Sequence, residues 1–213
     1  MSDFKALSEA VIKGDIKTAI AETQSALDAG SNVRNILDKG LVTAMDEMGE
    51  RFSKGLIFVP QMLRSAKTVK ECMKLLEPLF QEGDVISKGK VLIGTVKGDL
   101  HDIGKNLVSM MMEGAGFTVT DLGVDVPPEK FVHKSQEVEP DIVAMSALLS
   151  TTMPAMPLTI KALQKAGIRD KVKVMIGGAP VTERYAQEIK ADSYASDAGS
   201  AVSKAKKLLG IRG

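Results

Sequence analysis

Asp99 and His101 lie two residues apart in a glycine-containing stretch that follows a short apolar run. On a tight turn, a carboxylate at this spacing can accept a hydrogen bond from the imidazole, fix its tautomer and raise the basicity of its other nitrogen. That second nitrogen is then suited to bind a metal. A lone loop histidine is more often a solvated surface residue, and we interpret His133 that way. The nearby carboxylate is what favours a ligand role for His101.

A single histidine cannot complete a zinc site, which takes three or four protein ligands. It can supply one axial ligand to a metal whose other positions are filled by a macrocycle. The chain has neither a Walker A sequence nor a Gly-x-Gly-x-x-Gly pattern, which disfavours ordinary nucleotide binding. The residues therefore favour a prebuilt metal cofactor over a bare ion. Asp102 and Lys105, farther along the stretch, are interpreted as helix N-terminal charge and solvated surface.

Apolar runs alternate with amphipathic segments from residue 90 onward, which predicts an α/β domain with a five-stranded parallel sheet. The predicted strands are Val91–Val96, Thr118–Leu122, Ile142–Ser146, Val172–Ile176 and Ser193–Ala195. The predicted helices are Ile103–Ala115, Pro128–Glu137, Thr152–Ala166, Thr182–Ile189 and Ala198–Leu209. Right-handed crossovers make this a doubly wound, flavodoxin/Rossmann-like domain that binds ligands beyond the carboxyl ends of its strands. Besides Asp99 and His101, the loops at that rim carry Ser146, Ser150, Thr151, Thr152, Gly177, Gly178 and Tyr194.

The first part of the chain shows only helical periodicity. Apolar residues recur at helical spacing in four segments, and Gly55 and Pro60 separate the third segment from the fourth. Short loops between four helices predict a compact bundle. We therefore predict a helical bundle domain over residues 1–85, a linker over 83–89 and the α/β domain over 90–213.

Bulk composition excludes several classes of function. The formal net charge is +1, from 28 basic and 27 acidic residues, so no electrostatic footprint for nucleic acid or an acidic membrane is expected. The apolar runs are shorter than the roughly 20 residues that span a bilayer. The first residues do not resemble a signal peptide, and one cysteine, Cys72, fits a reducing compartment. A cytoplasmic protein is expected.

The motifs carry a family resemblance. Asp99-x-His101-x-x-Gly104, Ser146-x-Leu148 and Gly177-Gly178 resemble the three-part signature of cobalamin-binding domains. The helical half is similar to the cap domain of methyl-transferring corrinoid proteins, at residues 50–55 and 58–61. In length and domain pair the chain resembles the corrinoid proteins of methylamine and methanol methyltransferases, and less the larger methionine synthase with the same two modules.

The resemblance implies roles for particular residues. His101 would be the lower axial ligand of cobalt in methylcobalamin, replacing dimethylbenzimidazole, and Asp99 would bond its far nitrogen. Thr152 stands where a serine usually completes this relay. Phe58 and Val59 match cap residues that shelter the methyl-bearing face, although plain core is the alternative for both. The cofactor-contacting set implied by the resemblance is Gly98, Asp99, His101, Asp102, Ile103, Gly104, Ser146, Leu148, Ser150, Thr151, Gly177, Gly178, Tyr194, Phe58 and Val59.

The resemblance also implies a function. The chain would carry a methyl group from a substrate-specific methyltransferase to a second methyltransferase with a thiol or tetrahydropterin acceptor, with a reductive activase as a further partner. Opening of the bundle would need residues 83–89 to act as a hinge. Two alternatives share the cofactor motif: the cobalamin subunit of an adenosylcobalamin-dependent mutase, and a cobalamin-binding regulator. The sequence does not identify the methyl donor, the methyl acceptor or the oligomeric state.

Overall fold

The structure is a computed structural model, and it describes residues 4–80 and 87–211. The chain divides into two compact units, residues 1–86 with 113–116, and residues 87–112 with 117–213. The first four residues of the predicted linker 83–89 lie outside the described residues. The hinge role of this linker therefore stays a prediction.

The described residues of the N-terminal unit form a bundle of four helical stretches. Its elements are α1 (Lys5–Lys13), α2 (Ile16–Asp28), α3 (Val33–Asn35), a π-helical segment (Ile36–Val42), α4 (Thr43–Ser53), α5 (Val59–Leu76) and a 3-10 turn (Glu77–Leu79). The third stretch runs without a break from α3 through the π-helical segment to α4. Gly14 ends α1 with a left-handed backbone (φ 70°), and Asp15 caps α2 by accepting a hydrogen bond from the Thr18 amide.

Small and aliphatic side chains form the interior of this bundle. The buried stripe of α1 includes Leu7 and Val11, and the buried stripe of α5 includes Met62 and Val69. A Cβ on Gly40 would lie 2.6 Å from Cδ2 of Leu7. A larger residue at this position would therefore force the Leu7 side chain to move, because α1 packs closely on this part of the π-helical segment.

The C-terminal unit alternates strands and helices. Its elements are β1 (Lys90–Thr95), α6 (Ile103–Gly114), β2 (Thr118–Asp121), α7 (Pro128–Val138), β3 (Ile142–Ser146), α8 (Ala155–Lys165), β4 (Lys173–Gly177), α9 (Glu183–Glu188), β5 (Ser193–Ala195) and α10 (Ala198–Leu208). All strand pairs are parallel, in the order β2-β1-β3-β4-β5. The predicted fold class is confirmed. Helix α8 begins three residues later than predicted because residues 149–154 form turns.

The strands β1, β3 and β4 are largely buried, as expected for a parallel sheet covered on both faces. Strand β3 reads Ile-Val-Ala-Met-Ser, and its first four residues are buried. The register aligns Thr95, Ser146 and Gly177, so β1, β3 and β4 end at one level. The direction of the strand order changes between β1 and β3, which makes this edge the place for a ligand. Within the described residues, no helix is both long and apolar enough to cross a membrane.

Candidate functional site

The loop after β1 holds His101 against Asp99. The Asp99 Oδ1 atom accepts one hydrogen bond from the His101 backbone N–H at 3.0 Å and lies 2.8 Å from Nδ1 of the same residue. From the end of β1, the Thr95 hydroxyl donates to the His101 carbonyl oxygen over 2.9 Å. The backbone and the ring of His101 are therefore both fixed. The predicted pairing of Asp99 with His101 is present in the structure.

The other carboxylate oxygen of Asp99 binds the loop after β3. It accepts hydrogen bonds from the backbone N–H of Leu148 (2.7 Å) and from the Thr152 hydroxyl (2.7 Å), with a longer contact to the Leu149 N–H (3.4 Å). Asp99 has no exposed surface and Thr152 is 8% exposed. A buried carboxylate needs this many donors to remain charged. His101, Asp99 and Thr152 thus form one connected chain.

These hydrogen bonds decide the ionisation of Asp99. Burial alone would raise the pKa of its carboxyl group, but the donors from Thr152, His101 and Leu148 outweigh burial and hold the pKa well below its usual range. An ionised carboxylate only accepts hydrogen bonds, so Nδ1 of His101 must carry a proton. The lone pair of the neutral ring then lies on Nε2.

The Nε2 atom of His101 is available to a ligand. The side chain is 51% exposed, and across residues 4–80 and 87–211 no hydrogen-bond partner occurs for Nε2. In the same described ranges, no group of three His, Cys, Asp or Glu side chains could hold a metal ion. The site can therefore give a metal one ligand and no more. This donor set requires the rest of the coordination sphere to come from elsewhere.

The glycine pair brings two loops into direct backbone contact. Gly178 has a φ of +125°, and a Cβ there would lie 1.9 Å from the carbonyl oxygen of Ala147. A Cβ on Gly177 would lie 3.0 Å from the Ala195 carbonyl oxygen. The Ala147 N–H also donates to the Gly177 carbonyl oxygen over 3.2 Å. Ser146 precedes this contact, so the second and third motifs are adjacent at the ends of β3 and β4.

Large apolar side chains are exposed around the His101 loop, and we call them the apolar rim. Its members are Leu100 (72% exposed), Ile103 (82%), Leu148 (41%) and Leu149 (43%). They adjoin His101 in sequence or carry the backbone donors to Asp99. Apolar side chains exposed next to a half-exposed histidine make this loop a candidate surface for an apolar group.

The remaining predicted residues fall into three groups. Exposed residues in the loops that carry the site are Gly98, Asp102, Ser150 and Thr151, and Gly104 is exposed in the first turn of α6. Tyr194 is half-buried and packs against the hydrophobic core of the sheet. In the N-terminal unit, Phe58 and Val59 are 70% and 37% exposed, so the plain-core alternative is wrong for Phe58.

Sequence reasoning missed several partners and misplaced one residue. The backbone N–H groups of Leu148 and Leu149, which donate to Asp99, cannot be recognised from residue type. The Asp125 carboxylate accepts from the Gly98 N–H over 2.7 Å, and an aspartate two residues after Gly123 in a rim loop could have indicated it. Lys105 was interpreted as solvated surface, but it is 3% exposed and paired with Asp121. The interpretation is wrong because Asp121 ends β2 directly beside α6, where it neutralises the lysine.

Comparisons with known proteins identify the family of this chain. Residues 89–203 match the family model described as the B12 binding domain, and residues 4–77 match a second B12 binding domain model. The chain therefore belongs to the corrinoid protein family whose members carry these B12-binding domains. The resemblance stated from the motifs is confirmed.

Relatives in this family extend over nearly the whole chain. Dimethylamine corrinoid protein 1 of Methanosarcina acetivorans is 43% identical over 92% of this chain and 91% of its own length. The trimethylamine corrinoid protein of Methanosarcina barkeri is 41% identical over 95% of this chain and 94% of its own.

Two solved structures share the fold. A cobalamin-binding protein from Desulfitobacterium hafniense has a TM-score of 0.83 and 32% identity, covering 97% of this chain and 98% of its own. A chain of the methanol:cobalamin methyltransferase complex from Methanosarcina barkeri has a TM-score of 0.84 and 26% identity, covering 98% of this chain and 80% of its own.

Proposed function

We propose that this chain is a corrinoid methyl carrier, with His101 as the protein ligand of cobalt. The observation that carries the proposal is the connected chain from Thr152 through Asp99 to His101, which leaves Nε2 as a half-exposed lone pair. Membership of the corrinoid family supports the cofactor. Bound cobalamin supplies the methyl-transfer chemistry, because its cobalt both accepts and donates a methyl group.

The residues present fit a corrinoid better than they fit a free metal ion. A single imidazole suits a metal whose equatorial positions are already filled by a macrocycle. The apolar rim can cover the face of a large ring, and the exposed Gly104 backbone has no side chain to obstruct it. Gly98, Asp102, Ile103, Ser150 and Thr151 would line this contact.

The relay residues orient His101 and keep its charge state defined. Asp99 remains ionised and holds the proton on Nδ1, so Nε2 binds as a neutral ligand. The side chain that carries Nε2 is half-exposed, and the hydrogen bonds that Asp99 accepts from Thr152 and Leu148 do not involve it. Thr152 keeps its hydroxyl on Asp99 throughout, which limits the motion of the carboxylate.

The family resemblance assigns the nucleotide tail of the cofactor to the neighbourhood of the glycine pair. The tail would be bordered by Ser146, Leu148, Gly177 and Gly178, which lie at or just beyond the ends of β3 and β4, where the loops after these strands are in direct backbone contact. Tyr194, in β5, would border the same side of the sheet. The predicted contact of Phe58 and Val59 with the methyl-bearing face stays a prediction, and exposed aromatic and aliphatic surface is suited to it.

The partners follow from this role. We infer that one methyltransferase loads the carrier and a second unloads it to a thiol or tetrahydropterin, and that a reductive activase restores oxidised cobalt. Methylamines are the proposed donor class because relatives named for dimethylamine and trimethylamine match nearly the whole chain. Their identities of 43% and 41% do not choose between the two amines.

The ligand assignment can be tested on isotopically labelled protein. The chain should be loaded with cobalamin, reduced by one electron, and its electron paramagnetic resonance recorded with ¹⁴N- and ¹⁵N-histidine. A nitrogen splitting that changes with the histidine isotope identifies a histidine ligand. The change should persist in His133→Ala and vanish in His101→Ala. A splitting indifferent to the histidine label, or retained in His101→Ala, contradicts the assignment.

The carrier role needs a separate test. Chain loaded with ¹³C-methylcobalamin should lose its label to a thiol when an acceptor methyltransferase is added, and regain a methyl group from an amine when an amine methyltransferase is added. A chain that binds cobalamin through His101 but transfers no methyl group would favour the mutase or regulator alternatives.

A further inference from the structure

Lys105 is a buried cation that the proposed function does not use. Its side chain is 2% exposed, and its ammonium contacts the Asp121 carboxylate and lies 2.6 Å from Oδ1 of Asn106. Asp121 ends β2, whereas Lys105 lies in the first turn of α6. Burial of a lysine is costly unless its charge is paired. The ion pair therefore joins the start of α6 to the end of β2.

The acidic partner of Lys105 orders the loop after β2. The second oxygen of Asp121 accepts from the Gly123 N–H over 2.8 Å, which fixes the turn that begins that loop. Gly123 then accepts from the Thr95 N–H over 3.0 Å. The position of the loop relative to β1 therefore depends on the Lys105–Asp121 pair.

The same loop is bonded along the length of the segment that leads to His101. Beyond the Gly123 contact, the Val126 N–H donates to the Thr95 carbonyl (3.0 Å) and the Asp125 N–H donates to the Asp99 carbonyl (2.9 Å). The Asp125 carboxylate also accepts from the Gly98 N–H (2.7 Å). Four hydrogen bonds thus hold the Thr95–Asp99 segment from one side.

The other end of the His101 loop is held from α6. The Asn106 N–H donates to the Asp102 carbonyl oxygen over 2.7 Å, and its side-chain amide donates to the Asp102 carboxylate over 3.0 Å. Asn106 in turn accepts from Lys105. The His101 loop is therefore held on one side by the loop after β2 and on the other by the start of α6, which we call the two anchors. The Lys105 ammonium contacts Asp121 at the first anchor and Asn106 at the second.

We propose that Lys105 is a positioning residue for His101, because it locks the two anchors between which the metal-ligating loop is held. This inference rests on the proposed function. Lys105 acts through Asp121 and Asn106, at a distance from the ligand nitrogen. Loss of its charge should loosen the loop while leaving the sheet and the Asp99–His101 contact able to form.

The test compares Lys105→Met, Asp121→Asn and the control Lys134→Met, which removes an exposed pair on α7. In cofactor-free protein labelled with ¹⁵N-histidine, exchange of the His101 Nδ1–H with water should be about tenfold faster in both test variants, and the signals of His133 should not change. Cobalamin affinity should fall by about tenfold, the lower range seen when outer partners of a metal ligand are removed. Lys134→Met should match the wild type in both measurements.

Two results would overturn the proposal. One is an unchanged rate of exchange of the His101 Nδ1–H with water in Asp121→Asn. This variant is the milder of the two, so the test remains decisive if Lys105→Met does not fold. The other is equal acceleration at His101 and His133, which indicates general loosening of the unit. Failure of wild-type protein to bind cobalamin would contradict the proposed function instead, since the exchange measurement needs no cofactor.

Discussion

Thr152 places its hydroxyl 2.7 Å from the Asp99 carboxylate and its methyl group toward the backbone of Gly98. A Cβ on Gly98 would be 3.7 Å from Cγ2 of Thr152, so the extra methyl of threonine fits over a glycine without displacing the loop. The same hydroxyl lies 2.9 Å from the Leu149 carbonyl oxygen. One hydroxyl proton cannot serve two acceptors fully, and the charged carboxylate is the stronger one.

Removal of the Thr152 hydroxyl should weaken the unit without changing its shape. Thr152→Val leaves a buried carboxylate oxygen with one donor fewer, which costs about 1–3 kcal/mol in free energy of unfolding. Thr152→Ser, the control, keeps the hydroxyl and loses only a methyl group. Urea unfolding should be followed by tyrosine fluorescence, because both tyrosines, Tyr185 and Tyr194, lie in the C-terminal unit. Equal stability of the two variants would show that the hydroxyl does not support Asp99.

The stabilising effect of Asp99 should depend on pH in a defined direction. The pKa of Asp99 is lowered in the folded protein from an ordinary value near 3.8. A group of this kind stabilises the fold above its unfolded pKa, and the stabilisation is lost as the pH falls toward the folded pKa. The difference in unfolding free energy between wild type and Asp99→Asn measures this contribution across the acid range. It should shrink below pH 3.8.

The same tyrosine signal measures this difference. Asp99→Asn is informative because it keeps the shape of the side chain and replaces one acceptor by a donor that faces other donors. A difference that stays constant through the acid range would mean that Asp99 has an ordinary pKa in the folded state. The donors from Leu148 and Thr152 would then not stabilise its charge.

The sheet and the Asp99–His101 contact could be predicted from the sequence because side-chain type carried both signals. Alternating apolar runs predicted the parallel sheet, and the spacing of Asp99 and His101 predicted their contact. The backbone donors at Leu148 and Leu149 could not be predicted, since any residue type provides an N–H and only the loop geometry aims it. Lys105 was misplaced for a related reason. Burial of a lysine depends on a carboxylate 16 residues away in the sequence, and periodicity does not reveal such a pair.

Gly178→Ala should disrupt the contact between the loops after β3 and β4. The added Cβ would overlap the Ala147 carbonyl oxygen at 1.9 Å, and the backbone φ of +125° is strained for alanine. Strain of this kind costs about 1–3 kcal/mol, and the overlap adds to it. Tyrosine-detected unfolding should show a loss of at least that size. A stability equal to wild type would mean that the two loops separate freely.

Gly104→Ala should separate folding from cofactor binding. Gly104 lies in the first turn of α6, and a Cβ there meets no atom of the described residues within 4 Å. Alanine is favoured over glycine in a helix by about 1 kcal/mol, so the cofactor-free protein should become slightly more stable. Open space on the exposed side of the His101 loop is where the corrinoid would approach, and a methyl group would obstruct it. Cobalamin affinity should therefore fall while the urea midpoint rises. If affinity is unchanged in the stabilised variant, the corrinoid does not approach the Gly104 backbone and must contact His101 from another direction.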